Sequence, residues 1–524
     1  MTKYIIAHDV GTSADKALLV DVQGRIIEST RQEYAIYHPK PGYAEQDADE
    51  IFGAVCATTV EIVNRAGIEA GQVAGITFSS QVQSLIPIDK NGQALRRTMN
   101  WLDTRSAAIL REKLWKPPRL MGYNPINLLR FIRITGGSPG LAGKDPIAKI
   151  IWLKEFEPEI FNNTYKFLDL KDYLIFRLTG NYVTSMDVAY VWWLMDTRKL
   201  GGYRWHEGLC SLAGITPDYL PELKTSMDIA GELTEQAAIR LELDKGIPVI
   251  IGSTDLASAA IGSGAIKNGQ IHIRIGTSGG AAGHFSKRKI DLLHYTGCIG
   301  SVFPDKYYLG IGAQETAGLC LEWLKNHVLY HEEQLREEAH VVDIYKLLDN
   351  LAEKAPPGSE GLMFTPWMYG ERCPINDDSV RAGFHNIGLN HNREHLIRAV
   401  LEGVAFNIRW ALETLENLYQ PVERVHAIGG GTKSDIWCRI LADVTGHEIL
   451  QTENPQEASA RGMALLAWMA LGYLDNEDDI IDRIKIQRHF TPNPENRSVY
   501  DKMFAEFKNI YKQNKSWYKR MNRG

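Results

Sequence analysis

The chain has 524 residues, with 58 Lys and Arg against 64 Asp and Glu, a formal charge of −6 and 44% hydrophobic residues. That composition excludes a disordered chain and leaves apolar material for two large domains. The mild acidity gives no basic face, so a nucleic-acid partner is not expected.

The N-terminus reads as a meander of short strands, 4–7, 17–20 and 25–28, with Gly11-Thr12-Ser13 at the first turn. A helix is expected over 49–66, with Asp47 or Asp49 as its cap, and a strand over 73–78. Residues 116–144 are rich in Pro and Gly and read as a long surface excursion. Helical periodicity returns at 147–155 and 171–178. A second start follows: a buried strand at 247–251, Gly252-Ser253-Thr254-Asp255, a small-residue helix over 256–261, and a strand over 271–275 that runs into Gly276-Thr277-Ser278-Gly279-Gly280. A strand at 307–311 and helices at 316–327, 393–418, 435–445, 457–471 and 501–518 complete the chain. The basic tail from Lys512 to Arg523 reads as a solvated terminal helix.

The six cysteines form no C-x-x-C pair, so neither a zinc site nor a disulfide framework is indicated. Free thiols fit a reducing cytoplasm. No signal-peptide pattern opens the chain. The longest apolar stretch, near 465–474, is too short to span a bilayer, so no membrane partner is expected.

Gly-Thr-Ser recurs at 11–13 and 276–278, each time leaving a short apolar strand, which hints at a duplicated architecture. Such a turn can be a plain hairpin, or it can offer backbone N–H groups and hydroxyls to a phosphate. In the second reading Lys16 reaches phosphate oxygens and Asp9 holds Mg²⁺ directly or through water. Asp255 follows a buried strand and is either a helix cap or a general base. Gly429-Gly430-Gly431 lets a ring or a phosphate approach the backbone closely. The near-fingerprint Gly310-Ile311-Gly312 lacks its third glycine, and the chain contains no Walker P-loop.

Taken in order, these segments resemble the FGGY carbohydrate kinases, closest to their xylulokinase-like branch. Asn100-Trp101-Leu102-Asp103-Thr104-Arg105, Leu170-Lys171-Asp172-Tyr173, Gly370-Glu371-Arg372 and Arg398-Ala399-Val400-Leu401-Glu402-Gly403 extend the match over nearly the whole chain. The resemblance implies an α/β fold of two actin-like (ribonuclease H-like) domains with mixed sheets around a deep cleft. The halves would be 1–254, mainly sugar-binding, and 255–524, mainly ATP-binding. It implies ATP-dependent phosphorylation of a sugar hydroxyl, of a ketopentose such as D-xylulose or of another ketose or polyol. ATP and Mg²⁺ are the implied cofactors, and a homodimer is left open. Asp255 matches the catalytic base and Asp9 the carboxylate near metal and phosphates, with Asp255 also placed near the metal. Gly11, Thr12, Ser13, Lys16, Gly276, Thr277, Gly318, Gly430, Gly431 and Asp435 fall around the nucleotide. Gln81, Val82, Gln83 and Trp101 fall in the sugar pocket.

Two departures bear on the sugar. Val82-Gln83 stands where the branch usually has Met-His, and Leu256 where it usually has Asn. An actin-like ATPase of another class would share the repeated turns, but no spare length is left for a peptide-binding domain. A sugar-binding regulator would not need both Asp9 and Asp255.

Overall fold

The computed structural model describes residues 2–329 and 343–522. Its centre is a pair of seven-stranded mixed sheets. In the first, the strands Tyr4–Val10, Ala14–Val20 and Ile26–Glu33 form the expected antiparallel meander. Val73–Ser80 lies parallel to Tyr4–Val10 on its other side, and Pro248–Ile250 and Ser253–Thr254 lie parallel to Val73–Ser80. Ile229–Glu232 closes that edge.

The second sheet repeats the plan. Ile271–Ile275, Gly279–Phe285 and Tyr308–Gln314 form an antiparallel meander, extended by Gly297–Gly300. Arg424–Ile428 runs parallel to Ile271–Ile275, and Glu448–Thr452 and Ile486–Phe490 follow. Each Gly-Thr-Ser is therefore the turn between the first two strands of a sheet, the placement a duplicated plan requires.

Local chemistry explains the helices. Asp47 caps Ala48–Ala66 by accepting from the amides of Asp49 and Glu50, and Gly67 ends it at φ 62°. That helix covers the first meander, and Arg393–Leu418 covers the second. The 116–144 segment is less irregular than its composition suggests. Asn124 caps a helix at Pro125–Thr135, with Pro at the first turn where it replaces no needed donor, and Phe131 is buried. The terminal helix Arg497–Asn522 buries Tyr500, Phe504 and Phe507 against the second core.

One helix crosses the division between the halves. Ala458–Ala470 comes late in the chain, yet it lies on the strands Tyr4–Val10 and Val73–Ser80 of the first sheet and packs against the helix Asp255–Ser263. Met463, Leu466 and Trp468 are buried in the same core as Ile5, Leu18 and Ala257. No described helix is long and apolar enough to cross a membrane.

Candidate active site

Parallel strands end side by side, so residues just past those ends gather. Asp9 sits near the end of Tyr4–Val10, Gln81–Gln83 follow Val73–Ser80, and Asp255 follows Ser253–Thr254. Thr254 caps the Asp255 helix by accepting from the Ala257 amide. Beneath it, the buried Asp187 accepts from the Ser253 hydroxyl at 2.6 Å and the Thr254 amide at 2.7 Å, which fixes where Asp255 emerges. Burial raises the Asp9 pKa, and the charge of Asp255 raises it further. Ser79 Oγ donates to one Asp9 oxygen at 2.9 Å. The other oxygen has no protein partner among the described residues. Asp255 is paired with Arg274 at 3.2 Å, so a strand of the second sheet reaches the carboxylate of the first.

The two Gly-Thr-Ser turns share a further property. The amides of Thr12, Ser13, Thr277 and Ser278 have no acceptor among the described residues. Free adjacent N–H groups in a tight turn are what an anion-binding concavity needs. Thr12 also accepts from Trp101 Nε1 at 3.0 Å, and its carbonyl accepts from Gln46 at 2.8 Å, so the first turn is wired to the wall beside it. In the second half, the Gly318 amide donates to the Gly276 carbonyl at 2.8 Å. A Cβ on Gly318 would come within 2.6 Å of that oxygen, so only glycine lets its helix start there. Gly429–Gly431 follow the neighbouring parallel strand Arg424–Ile428 and close the same end of the sheet.

Gln83 is held in a positive-φ conformation, 66°, rare for a side-chain-bearing residue. Asp169 accepts from its amide at 3.0 Å, and Lys149 donates to its carbonyl at 2.5 Å. The Lys149 ammonium also donates to the carbonyls of Met99 and Asn100. Burial pushes its pKa down to about 7, against the pull of Asp103, Asp169 and Asp145. Gln83 Nε2 donates to Asp145 at 3.0 Å, and the same oxygen accepts from Trp193 Nε1 at 2.7 Å. That leaves the Gln83 amide oxygen, an acceptor, without a partner among the described residues.

Sequence comparison places this arrangement. Residues 4–262 match the N-terminal domain of the FGGY family of carbohydrate kinases, and residues 271–471 match its C-terminal domain. The chain belongs to the FGGY family of carbohydrate kinases. It is 30% identical to the xylulose kinase of Bacillus subtilis (strain 168) over 515 residues, covering 98% of this chain and 97% of that one. It is also 30% identical to the gluconokinase of Bacillus licheniformis over 511 residues, 97% and 96% of the two chains. The crystal structure of a ligand-bound xylulose kinase from Lactobacillus acidophilus superposes with a TM-score of 0.86 at 27% identity, covering 99% of this chain and 100% of that one. The fold is thus the two-domain actin-like fold of these enzymes, and the protein is an ATP-dependent, xylulokinase-like sugar kinase.

Within this FGGY kinase, several site residues have partners that sequence alone did not disclose. Lys16 pairs with Glu457 at 3.2 Å, beside the start of Ala458–Ala470, rather than standing free. Asp435 opens the helix Asp435–Thr445 and pairs with Arg488. Gln81 donates to Gln46 at 2.9 Å and is buried, and Val82 packs into the first core. Asp145, Lys149, Asp169, Asp187, Trp193 and Arg274 were not singled out from the sequence. Arg274 alone left a trace, since Ile271-His272-Ile273-Arg274-Ile275 alternates and puts its polar residues on one face.

The glycines divide unexpectedly. A Cβ on Gly431 would lie 2.3 Å from Ile275 Cγ2 and 3.0 Å from Trp437, whereas one on Gly430 meets nothing within 4 Å. Of the two, only Gly430 therefore leaves open space beside its backbone. Gly430→Ala is expected to weaken ATP binding severalfold at unchanged thermal stability, while Gly431→Ala lowers the melting temperature. Titration with ATP and a melting curve on each variant test this. Unchanged ATP affinity in Gly430→Ala would remove the residue from the nucleotide site.

Proposed function

We propose that the kinase transfers the γ-phosphoryl group of ATP to a hydroxyl of a ketopentose such as D-xylulose. Residues 1–254 mainly hold the sugar and 255–524 mainly the nucleotide, and the reaction takes place in the cytoplasm. The observation that carries this reading is the meeting of Asp255 and Asp9 between two turns with unpartnered amides. A sugar hydroxyl is a poor nucleophile at neutral pH, and Asp255 takes its proton as the bond to phosphorus forms. The amides of Thr12, Ser13, Thr277 and Ser278 receive charge that spreads over the phosphoryl oxygens. Arg274, now on Asp255, is placed to shift toward that charge when the acceptor takes its place.

The described residues contain no group of three or more metal-binding side chains. That suits Mg²⁺, which is commonly held by one or two carboxylates plus phosphates and water. Asp9, with one oxygen unbonded, and Asp255 would hold it, and the ion would supply charge neutralisation at the phosphates. Incubation with ATP, Mg²⁺ and a panel of ketoses and polyols, followed by ADP release, tests the reading; no sugar-dependent ADP would end it.

Gln83→Ala is expected to change kcat/KM unequally across the panel. The loss should be tenfold or more for acceptors with a hydroxyl facing Gln83 Oε1, and small for those without. An equal factor for every sugar would show that Gln83 is not a selector, and Trp101 would be the next residue to test.

A further inference from the structure

Five cations meet in one cavity at the seam between the halves, away from the catalytic turns. The cavity has a volume of about 670 Å³, and Arg198, Lys199, Lys287, Arg288 and Lys289 line it. Small-ligand sites typically measure about 300–1,000 Å³. Arg198 and Lys199 follow the strand Met195–Asp196 of the first half, and the other three follow Gly279–Phe285 of the second. The second Gly-Thr-Ser turn leads into Gly279–Phe285 at its near end. The cavity lies past the far end, roughly 20 Å from that turn by the rise of a seven-residue strand. It is therefore separate from the phosphoryl-transfer site.

The charge in this cavity is unbalanced. No acidic residue lines it. Lys199 and Lys287 are exposed, and among the described residues their ammonium groups have no partner. Arg288 and Lys289 are half-buried and answered only by neutral acceptors. Arg288 donates to the carbonyls of Arg133 and Ile134, each at 3.2 Å, and to Thr197 Oγ1 at 2.8 Å. Lys289 donates to the Leu418 carbonyl at 2.6 Å. Only Arg198 has a carboxylate, Asp196 at 2.6 Å, and Arg204 shares it at 3.6 Å. Half-buried cations without a counter-charge cost free energy that a bound anion would offset.

We propose that this cavity is a second, non-catalytic binding site, and that its ligand is a linear oligophosphate of three or more phosphate groups. Five cations call for more negative charge than the −2 or so of a single phosphate. Lysine and arginine heads spread over two loops suit a chain of phosphates better than one compact ion. The lining holds no carboxylate or amide to bond sugar hydroxyls or the edge of a base, and the Tyr308 hydroxyl is spent on the Thr197 carbonyl at 3.2 Å. That favours a bare inorganic chain over the tail of a nucleotide. Because the cations come from both halves, a bound chain ties the loop at 198–199 to the loop at 287–289 and stabilises the folded protein. The site is independent of the sugar acceptor.

The test titrates inorganic tripolyphosphate into the full-length protein by calorimetry, wild type against the double variant Lys199→Gln, Lys287→Gln. Both lysines are exposed and unpartnered, so the variant should fold as the wild type does, whereas Arg288 is left in place because it holds the seam. Tripolyphosphate should bind the wild type, and its affinity should fall about tenfold or more in the variant. It should raise the melting temperature of the wild type more than that of the variant, while KM for ATP is the same in both. A matching titration with ATP identifies the source of the chain. Two ATP sites in the wild type and one in the variant would assign a nucleotide tail, and one in each would assign the inorganic chain. No tripolyphosphate binding overturns the proposal. So does equal affinity in the two proteins, which would place the ligand on the catalytic turns. Binding of sulfate as tight as that of tripolyphosphate at matched ionic strength would also overturn it, since the cavity would then be a diffuse patch of charge.

Discussion

Asp255→Asn is expected to lower kcat by about 10²–10⁴-fold while ATP still binds, the range typical of losing a positioned general base. Asn keeps the shape of the side chain and can still accept a hydrogen bond from Arg274. It cannot accept the hydroxyl proton, so the defect isolates proton transfer from positioning. The carboxylate is held by its surroundings: Thr254 caps its helix, and Asp187 accepts from Ser253 and Thr254 beneath it. ATP binding should persist because the turn Gly276–Ser278 and the glycines at 429–431 belong to the other sheet. Sugar-dependent ADP release gives kcat, and titration with ATP gives affinity. A variant with near wild-type kcat would place the base elsewhere. A variant with lost ATP affinity would mean that Asp255 serves the nucleotide.

Much of this architecture was legible because it is local. The helices Arg393–Leu418 and Asp435–Thr445 run over the residues their apolar periodicity marks, and Asn392 and Ser434 cap them. The strands of the first sheet are marked by short apolar runs and turn residues, but their polar ends are not, as at Ala14–Lys16 and Ser79–Ser80. The helix Pro125–Thr135 was hidden by its own start signal, because Pro at the first turn reads as a breaker until the preceding Asn is seen to cap. The surroundings of Gln83 were illegible for a different reason. Gln83, Asp145 and Trp193 meet through one carboxylate oxygen, although 62 residues separate the first two and 48 the last two. No periodicity encodes such a contact. The same holds for Arg274 against Asp255, which joins a strand of the second sheet to the helix that follows the first.

The second large effect is expected at Gly262, where the helix carrying Asp255 crosses Ala458–Ala470. A Cβ on Gly262 would lie 1.7 Å from the Ala458 carbonyl oxygen, and one on Gly462 would lie 2.5 Å from the Gly262 amide nitrogen. The two backbones touch, and neither can retreat, since Ala257, Ala260, Met463 and Ala464 fill the shared core. Forcing a methyl group into such a contact typically costs about 1–3 kcal/mol, and backbone that must move puts Gly262→Ala at or above the top of that range. Better helix propensity returns only about 1 kcal/mol. Gly53 supplies the control, because it lies within Ala48–Ala66 and a Cβ there meets nothing within 4 Å. Gly53→Ala should therefore raise the melting temperature slightly, while Gly262→Ala lowers it by several degrees. Because Asp255 opens the strained helix, Gly262→Ala should also lose kcat in the fraction that stays folded, and Gly53→Ala should not. Calorimetric melting and single-temperature kinetics on the two variants separate these outcomes. Equal stability in both would mean that the crossing relaxes freely, and Asp255 would then not depend on it for its position.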